Sequence, residues 1–279
     1  MSQPSAPTRA YRLAVFGAPI KQSKSPLIHT MFGQQAGLEI HYDAREAPAG
    51  TLAEALGVLA AEGGVGANIT APLKQEAMRL ATSVSSRVRR AGAANTLSLT
   101  ENGWRADTTD GAGLVADLER LGLSPGGVSI HILGAGGATA GILAALLEAG
   151  ARRVDIYNRT AATAVALAEA HADLGEVKGQ GFDALPGRAA DLVLNATSLG
   201  HHGQAPPLHR EMFANGAACY DLNYGTAAAP VLAWCAEQGI PAFDGLGMLV
   251  GQAAVSFETW TGFRPDPAPV LQALGDAEF

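Results

Sequence analysis

Short apolar runs alternate with amphipathic helical patterns along most of the chain. A short apolar run between turn residues is typical of a buried strand, whereas apolar residues that recur with the helical period are typical of a helix. The runs predict strands at residues 12–16, 40–45, 66–69, 96–99, 129–133, 153–157, 191–194 and 218–222. Helical patterns lie between most of them, for example at residues 51–61, 113–121, 137–148 and 161–171. This alternation predicts an α/β fold with mostly parallel sheets.

A strand, a tight glycine turn and a helix follow one another in the middle of the chain. Gly134 permits the sharp turn, and Gly136 lets the backbone approach a pyrophosphate. The free N–H groups and positive dipole end of the following helix bind phosphate. An ordinary strand–helix turn is the alternative, since Thr139 replaces the third glycine of the usual pattern. The sequence thus predicts a dinucleotide site that includes Gly134, Ala135, Gly136, Gly137 and Ala138.

The next strand ends in Asn158, Arg159 and Thr160 rather than in an acidic residue. Proteins that prefer NAD usually place Asp or Glu about 20 residues after the turn, where it binds the ribose 2′-hydroxyl. A guanidinium instead suits the 2′-phosphate of NADP, because it is always charged and donates several hydrogen bonds. We therefore predict NADP(H) as the cofactor, and a solvated loop arginine is the alternative interpretation of Arg159. At the end of a third strand, Thr197 and Ser198 are placed to contact ribose or nicotinamide.

The position of the glycine turn divides the chain into two predicted domains. A chain of 279 residues suggests about two domains of roughly 150 residues each. More strands and helices precede the turn than one cofactor domain needs, so a separate domain comes first. We predict that residues 1–109 and 245–279 form the first domain and that residues 110–244 form a Rossmann-type domain. A long amphipathic helix at residues 246–260 would return to the first domain.

Composition and charge exclude several classes of protein. Hydrophobic residues make up 48% of the chain and charged residues 16%, which is typical of a globular core. The formal net charge of -7, without a cluster of Lys or Arg, argues against a nucleic-acid partner. No apolar run approaches the ~20 residues of a membrane helix, so we expect no membrane partner. The two cysteines, Cys219 and Cys235, and the absence of a secretory signal in the first ten residues favour a cytoplasmic location.

Polar side chains stand at several strand–helix junctions of the first domain. They are Ser23, Ser25, Thr70, Lys74, Asn95 and, at the boundary, Asp110. Ser25 and Asp110 could instead be helix N-caps, and Lys74 could be a solvated surface residue. Together they place hydroxyl, amide, ammonium and carboxylate groups in one domain.

These motifs resemble those of the shikimate dehydrogenase family, in the same order and over almost the whole chain. In the first half the matching segments are VFGAPIKQSKSPLIH at residues 15–29, GANITAPLK at 66–74, AGAANTL at 91–97 and DTTDGAGL at 107–114. In the second half they are GAGGA at 134–138, NRT at 158–160, NATS at 195–198, YDLNY at 220–224, LAWC at 232–235 and DGLGMLVGQA at 244–253. So many motifs in one order make a chance match negligible.

The resemblance implies an NADP-dependent, reversible reduction of 3-dehydroshikimate to shikimate in aromatic amino-acid biosynthesis. Lys74 and Asp110 would be the catalytic pair. Hydride addition to a ketone creates an alkoxide, which an ammonium can protonate or stabilise. Because the nicotinamide carries the hydride, we expect no metal ion.

The resemblance also implies the residues that bind the ligands. Ser23 and Ser25 would bind the substrate carboxylate, and Gly245 and Met248 would approach the nicotinamide. The other substrate-binding residues would be Thr70, Asn95, Tyr224 and Gln252. The expected partner is therefore a small molecule, and the sequence leaves both a monomer and a homodimer open.

Two other functions are compatible with these residues. A quinate/shikimate dehydrogenase would oxidise quinate as well and would use NAD more readily. Thr163 stands where many relatives have a second arginine, so the preference for NADP depends mainly on Arg159. A non-catalytic NADPH-binding relative is the other alternative, and the presence of both Lys74 and Asp110 argues against it.

Overall fold

The computed structural model describes residues 10–276, which form two compact units. Residues 1–9, where we expect no secretory signal, lie outside the described part. The first unit contains the described residues of Met1–Thr109 and Gln252–Phe279, and the second is Asp110–Gly251. Residues 245–251, which we predicted in the first domain, therefore lie in the second unit. A Cβ added at Gly251 would lie 3.1 Å from the carbonyl oxygen of Gly113, so the two backbones are in close contact there.

The first unit contains a six-stranded mixed sheet. Its elements up to residue 109 are β1 (Ala10–Gly17), α1 (Ser25–Ala36), β2 (Glu39–Glu46), α2 (Leu52–Ala61), β3 (Gly64–Ile69), α3 (Lys74–Leu80), β4 (Ser83–Val84), α4 (Ser86–Ala91), β5 (Thr96–Thr100) and β6 (Gly103–Asp107). The strand order is β2-β1-β3-β5-β6-β4. β5 runs antiparallel to both of its neighbours, and the other three pairings are parallel.

The second unit contains a six-stranded sheet in which every pairing is parallel. Its elements are α5 (Asp110–Arg120), β7 (Ser129–Leu133), α6 (Gly137–Glu148), β8 (Arg153–Asn158), α7 (Ala161–Glu169), β9 (Val177–Gly181), β10 (Ala190–Asn195), β11 (Phe213–Asp221), α8 (Ala229–Glu237), β12 (Ala242–Phe243) and the start of α9 (Leu246–Thr261). The strand order is β12-β11-β10-β7-β8-β9, so β7 is central. The last helix, α10 (Pro267–Asp276), belongs to the first unit. The α/β fold class predicted from the sequence is confirmed, with a Rossmann-type second unit.

The apolar pattern of α6 explains how this helix packs on the sheet. Ile142, Leu143, Leu146 and Leu147 recur with the helical period and are buried in one core with strands β7, β8 and β10. Gly111 allows α5 to approach α6, since a Cβ added there would lie 2.6 Å from the Cβ of Ala145. This packing fixes the amino terminus of α6 directly after the central strand.

Several short or polar elements differ from the predicted ones. The strand predicted at 218–222 begins earlier, as β11, and β4, β6, β9 and β12 carry no clear apolar run. The β5–β6 hairpin had a usable signal, because Asn102-Gly103 is a typical hairpin turn. Gly103 adopts φ +100°, and its carbonyl accepts a 2.7 Å hydrogen bond from the Thr100 hydroxyl.

Within residues 10–276, no helix is both long enough and apolar enough to cross a membrane.

Candidate functional site

The glycine turn after β7 depends on Gly134. This residue has φ +103°, a conformation that side-chain-bearing residues rarely adopt. A Cβ there would also lie 3.1 Å from the carbonyl oxygen of Ala196 at the end of β10. The N–H of Gly134 donates to the carbonyl of Tyr157 over 2.7 Å. The chain therefore turns tightly where three parallel strands end side by side.

The amino terminus of α6 fits a phosphate group. Gly136 is the N-cap, and no side chain of the described residues makes a capping hydrogen bond there. A Cβ added at Gly136 or Gly137 would have no protein atom within 4 Å, so packing does not require either glycine. The first N–H groups of a helix have no partner within the helix and lie at its positive dipole end. This turn therefore suits the pyrophosphate of a dinucleotide.

The tip of β8 lies beside the glycine turn. The Asn158 side chain accepts from the N–H of Ala135 over 3.3 Å and donates to the carbonyl of Thr160 over 3.0 Å. These bonds fix the segment that carries Arg159, whose side chain is exposed. Asp155 lies within β8, buried, 2.9 Å from Arg153. The end of the strand therefore carries an exposed guanidinium, while the carboxylate of Asp155 is buried within the strand beside Arg153. This arrangement suits a 2′-phosphate.

A buried carboxylate orders the turn after β10. Asp221 accepts from the Asn195 amide over 2.9 Å, and Asn195 Oδ1 accepts from both the N–H and the hydroxyl of Thr197. Burial raises the pKa of Asp221, although hydrogen bonds from Asn195 and Asn223 oppose the rise. Asn223 also donates to the carbonyl of Thr197 over 3.0 Å. The Thr197–Ser198 segment is thereby fixed at the same sheet edge as Gly134.

Three further predicted residues follow β11 in this unit. Gly245 donates to the carbonyl of Asn223 over 2.8 Å, and a Cβ on it would collide with the carbonyl of Leu222. Met248 lies in the first turn of α9, and Tyr224 follows β11 with its side chain half-buried. The second unit thus brings the predicted cofactor residues to the carboxyl-terminal edge of one sheet, where ligands bind in such folds.

In the first unit, two predicted substrate residues contact each other directly. The Asn95 amide donates to Gln252 Oε1 over 3.1 Å, and both residues are buried. Thr109 donates from its N–H to Asn95 Oδ1 over 2.9 Å and from its hydroxyl to Gln252 Oε1 over 3.3 Å. Because the acceptor oxygens of both amides are engaged, their orientations are fixed.

A second layer of buried polar residues, which the sequence did not single out, supports this pair. Asn68 donates to the hydroxyl of Ser256 over 3.1 Å and accepts from the hydroxyl of Tyr42 over 2.7 Å. Ser256 contacts the hydroxyls of Thr96 and Thr109 at 2.8 and 3.2 Å. The partners come from distant parts of the sequence, so no local signal points to them.

The remaining predicted residues lie at helix starts. Ser25 is the first residue of α1, and Lys24 is its N-cap, so capping does not explain Ser25. The hydroxyl of Ser23 accepts from the N–H of Ser25 over 3.3 Å. Lys74 begins α3 with a half-buried side chain, shortly after the half-buried Thr70. Asp110 is buried as the first residue of α5 in the second unit, rather than an N-cap before it.

His29 predicts a specific sensitivity to acid. Its ring is fully buried and stacks on Tyr42, with ring centroids 4.2 Å apart. Burial lowers the pKa of His29 from 6.5 to about 3, and the neighbouring Asn68 offsets this only in part. The unfolded chain therefore binds a proton below pH 6.5 that the folded chain excludes, so the free energy of unfolding falls as the pH falls from 6.5 toward 3.

We expect this histidine to remove about 2 kcal/mol of stability between pH 7 and pH 5, at about 1.4 kcal/mol per pH unit below 6.5. Urea unfolding of the native chain and of His29→Gln at both pH values measures the contribution. The variant should lose less stability on acidification than the native chain. Equal losses in the two proteins would contradict the assignment.

Comparison with known proteins places these features in one family. The model for the shikimate dehydrogenase substrate binding domain matches residues 15–97. The model for shikimate / quinate 5-dehydrogenase matches residues 122–218, and that for the shikimate 5'-dehydrogenase C-terminal domain matches residues 245–274. The three matches include parts of both units.

Individual relatives match nearly the full length. The shikimate dehydrogenase (NADP(+)) of Cellvibrio japonicus is 46% identical over 263 residues, which cover 94% of this chain and 95% of the relative. The crystal structure of an Ael1 enzyme from Pseudomonas putida has a TM-score of 0.89 and 39% identity, covering 95% of this chain and 98% of that one. Shikimate 5-dehydrogenase from Thermus thermophilus, in complex with NADP(H) and shikimate, has a TM-score of 0.82 and 33% identity, covering 96% and 99%. The chain therefore belongs to the shikimate dehydrogenase family.

Proposed function

We propose that this protein catalyses the reversible, NADP-dependent reduction of 3-dehydroshikimate to shikimate, a step of aromatic amino-acid biosynthesis. The observation that carries the proposal is the similarity to an NADP-dependent shikimate dehydrogenase, because it extends over both units. Two groups of residues support it independently. They are the ordered turns at Gly134 and Thr197 in the second unit and the hydrogen-bonded Asn95–Gln252 pair in the first.

The second unit supplies the cofactor site in this proposal. The turn at Gly134 and the amino terminus of α6 bind the pyrophosphate, and Arg159 binds the 2′-phosphate. Thr197 and Ser198 face the sugar and nicotinamide half. When bound, the nicotinamide supplies or accepts the hydride.

The first unit supplies groups suited to a hydroxylated carboxylic acid. Asn95 and Gln252 hold oriented amides in a buried setting, and such groups discriminate against analogues that lack a matching hydroxyl. Ser23 and Ser25 would donate to the substrate carboxylate, while Thr70 would contact its carboxylate or ring hydroxyls. Tyr224, for which we propose the same role as Thr70, belongs to the second unit.

Lys74 and Asp110 are the proposed catalytic residues. The ammonium of Lys74 stabilises the negative charge that develops on the ketone oxygen and can deliver a proton to that oxygen. The carboxylate of Asp110 accepts a hydrogen bond from a substrate hydroxyl and orients the ring. In the oxidative direction Lys74, in its neutral amine form, would receive the proton of the alcohol.

Steady-state kinetics with four pairs of substrates test the substrate and cofactor assignments. Shikimate and quinate are each oxidised with NADP+ and with NAD+ under the same conditions. We expect the highest kcat/KM for shikimate with NADP+. A higher kcat/KM for quinate with NAD+ would overturn the proposal and favour the second candidate.

That second candidate is a quinate/shikimate dehydrogenase with broader cofactor use. It is favoured by the family model matched at residues 122–218, whose description includes quinate. The end of β8 argues against a preference for NAD, because Arg159 is exposed there and the strand does not end in an acidic residue. A cytoplasmic location remains a prediction from the sequence, which leaves both a monomer and a homodimer open.

A further inference from the structure

The hydroxyl of Tyr220 joins three elements of the second unit. Tyr220 lies in β11 and is fully buried. Its hydroxyl donates to Asp117 Oδ2 in α5 over 2.7 Å and accepts from the backbone N–H of Met248 in α9 over 3.3 Å. A phenol has one proton, so donation to Asp117 turns its lone pairs toward Met248. Donation to the Asp117 carboxylate thus leaves the hydroxyl oxygen oriented to accept from the N–H of Met248 at the start of α9.

Asp117 itself is held firmly in place. It is 4% exposed, and its other oxygen accepts from Arg120 Nε over 2.7 Å. A Cβ added at Gly247 would collide with this carboxylate, so the first turn of α9 lies directly against it. A negative charge beside a helix amino terminus is favourable because that end carries the positive end of the dipole.

The contacts satisfy backbone groups that the helix cannot satisfy by itself. The first N–H groups of a helix have no intrahelical acceptor. Asp244 Oδ1 accepts from the N–H of Leu246 over 3.2 Å, and the Tyr220 hydroxyl accepts from Met248 two residues later. Burial, together with the charge of Asp117, raises the pKa of Tyr220, so its hydroxyl stays protonated and keeps donating to the carboxylate.

The strand order indicates which half of a dinucleotide the first turn of α9 would face. Arg159 follows β8, on one side of the central strand β7. The N–H of Gly245 donates a hydrogen bond to the carbonyl of Asn223, which follows β11 on the other side of β7. With the pyrophosphate at the turn after β7 and the 2′-phosphate at Arg159, the nicotinamide half extends toward β10 and β11.

We infer that Tyr220 and Asp117 are positioning residues for the nicotinamide end of the cofactor. They act through the first turn of α9, which they hold in the conformation that presents Gly245 and Met248. The inference rests on the proposed function, since it takes NADP(H) as the ligand of the second unit. It adds two buried residues that need not touch cofactor or substrate.

Two ligands separate this role from a general structural role. NADPH carries the nicotinamide, whereas 2′-phospho-ADP-ribose has the adenosine, the 2′-phosphate and the pyrophosphate but lacks it. In Tyr220→Phe, which removes only the hydroxyl, we expect the Kd for NADPH to rise about 10-fold, as for loss of one buried hydrogen bond. The Kd for 2′-phospho-ADP-ribose should stay within about twofold of the native value, both measured by titration calorimetry.

Tyr11→Phe is the matched control. Tyr11 is also a buried tyrosine in a strand, but it lies in β1 of the first unit, outside the proposed cofactor site. The control should bind both ligands as the native chain does. Asp117→Asn keeps the shape of the side chain and removes its charge, and we expect it to weaken NADPH selectively as well. It provides the same comparison if Tyr220→Phe does not fold.

Equal weakening of both ligands, or unchanged NADPH binding, in a folded variant would overturn the inference. A native chain that binds neither ligand would instead contradict the proposed function. A native chain that binds NADPH and oxidises shikimate, beside a Tyr220→Phe variant with unchanged affinities, would leave the proposed function intact and refute only the positioning role.

Discussion

Replacing Lys74 with alanine is expected to lower kcat for shikimate oxidation by at least ~100-fold, the usual contribution of an acid–base group. Lys74 begins α3 with a half-buried side chain, so truncation removes the ammonium without opening the core. The KM for NADP+ should change little, because the proposed cofactor residues all lie in the second unit. Steady-state kinetics at saturating cofactor measure the loss.

Two controls make this prediction specific to the amine. Lys178→Met alters an exposed lysine in β9, outside the proposed site, and should retain the native kcat. A small primary amine such as ethylamine, added to Lys74→Ala, should restore part of the rate because it supplies the missing ammonium. A Lys74→Ala protein with native kcat would show that this lysine is a solvated surface residue.

Replacing Arg159 with alanine is expected to reduce the preference for NADP+ over NAD+ by roughly 10- to 100-fold. A hydrogen bond to a charged group contributes about 1.5–3 kcal/mol, and the 2′-phosphate exists only in NADP. Since Thr163 offers no second guanidinium, we expect Arg159 to carry most of the discrimination. The ratio of kcat/KM for the two cofactors, each with shikimate, measures the effect.

Arg152→Ala is the control for this experiment. Arg152 is also exposed, but it precedes β8 at the opposite end of the strand and lies 3.2 Å from Asp191. Its loss should leave the cofactor ratio unchanged. If Arg159→Ala keeps the native ratio, the arginine is an ordinary loop residue, and the 2′-phosphate must be recognised by other groups.

The sequence predicts the cofactor half of the fold well because its signals are local. The central strand β7 and helix α6 have the predicted bounds, since five buried residues, a glycine turn and a helical apolar period follow one another without interruption. β6 was missed because its sequence GWRAD contains no continuous apolar run, although the hairpin turn before it was a usable local signal. Helix α8 was missed because it is short and mainly apolar, which the helical period does not reveal.

In the candidate site, too, residues in local motifs could be predicted and contacts between distant residues could not. Ser23, Ser25 and Lys74 lie in short motifs that resemble a known family, so they could be named from the sequence. The contact between Ser256 and Asn68 could not be predicted, because it joins residues 188 positions apart. The contact between Tyr220 and Asp117 spans 103 positions and likewise appears only when the sheet is assembled.

We propose that this chain transfers hydrogen between shikimate and NADP. The most direct test incubates the full chain with shikimate and NADP+, follows the near-ultraviolet absorbance of NADPH, and identifies the organic product by mass spectrometry. We expect NADPH and 3-dehydroshikimate in equal amounts, with the reaction reversed when NADPH and 3-dehydroshikimate are supplied. Binding of NADP+ without formation of either product would contradict the proposed hydrogen transfer.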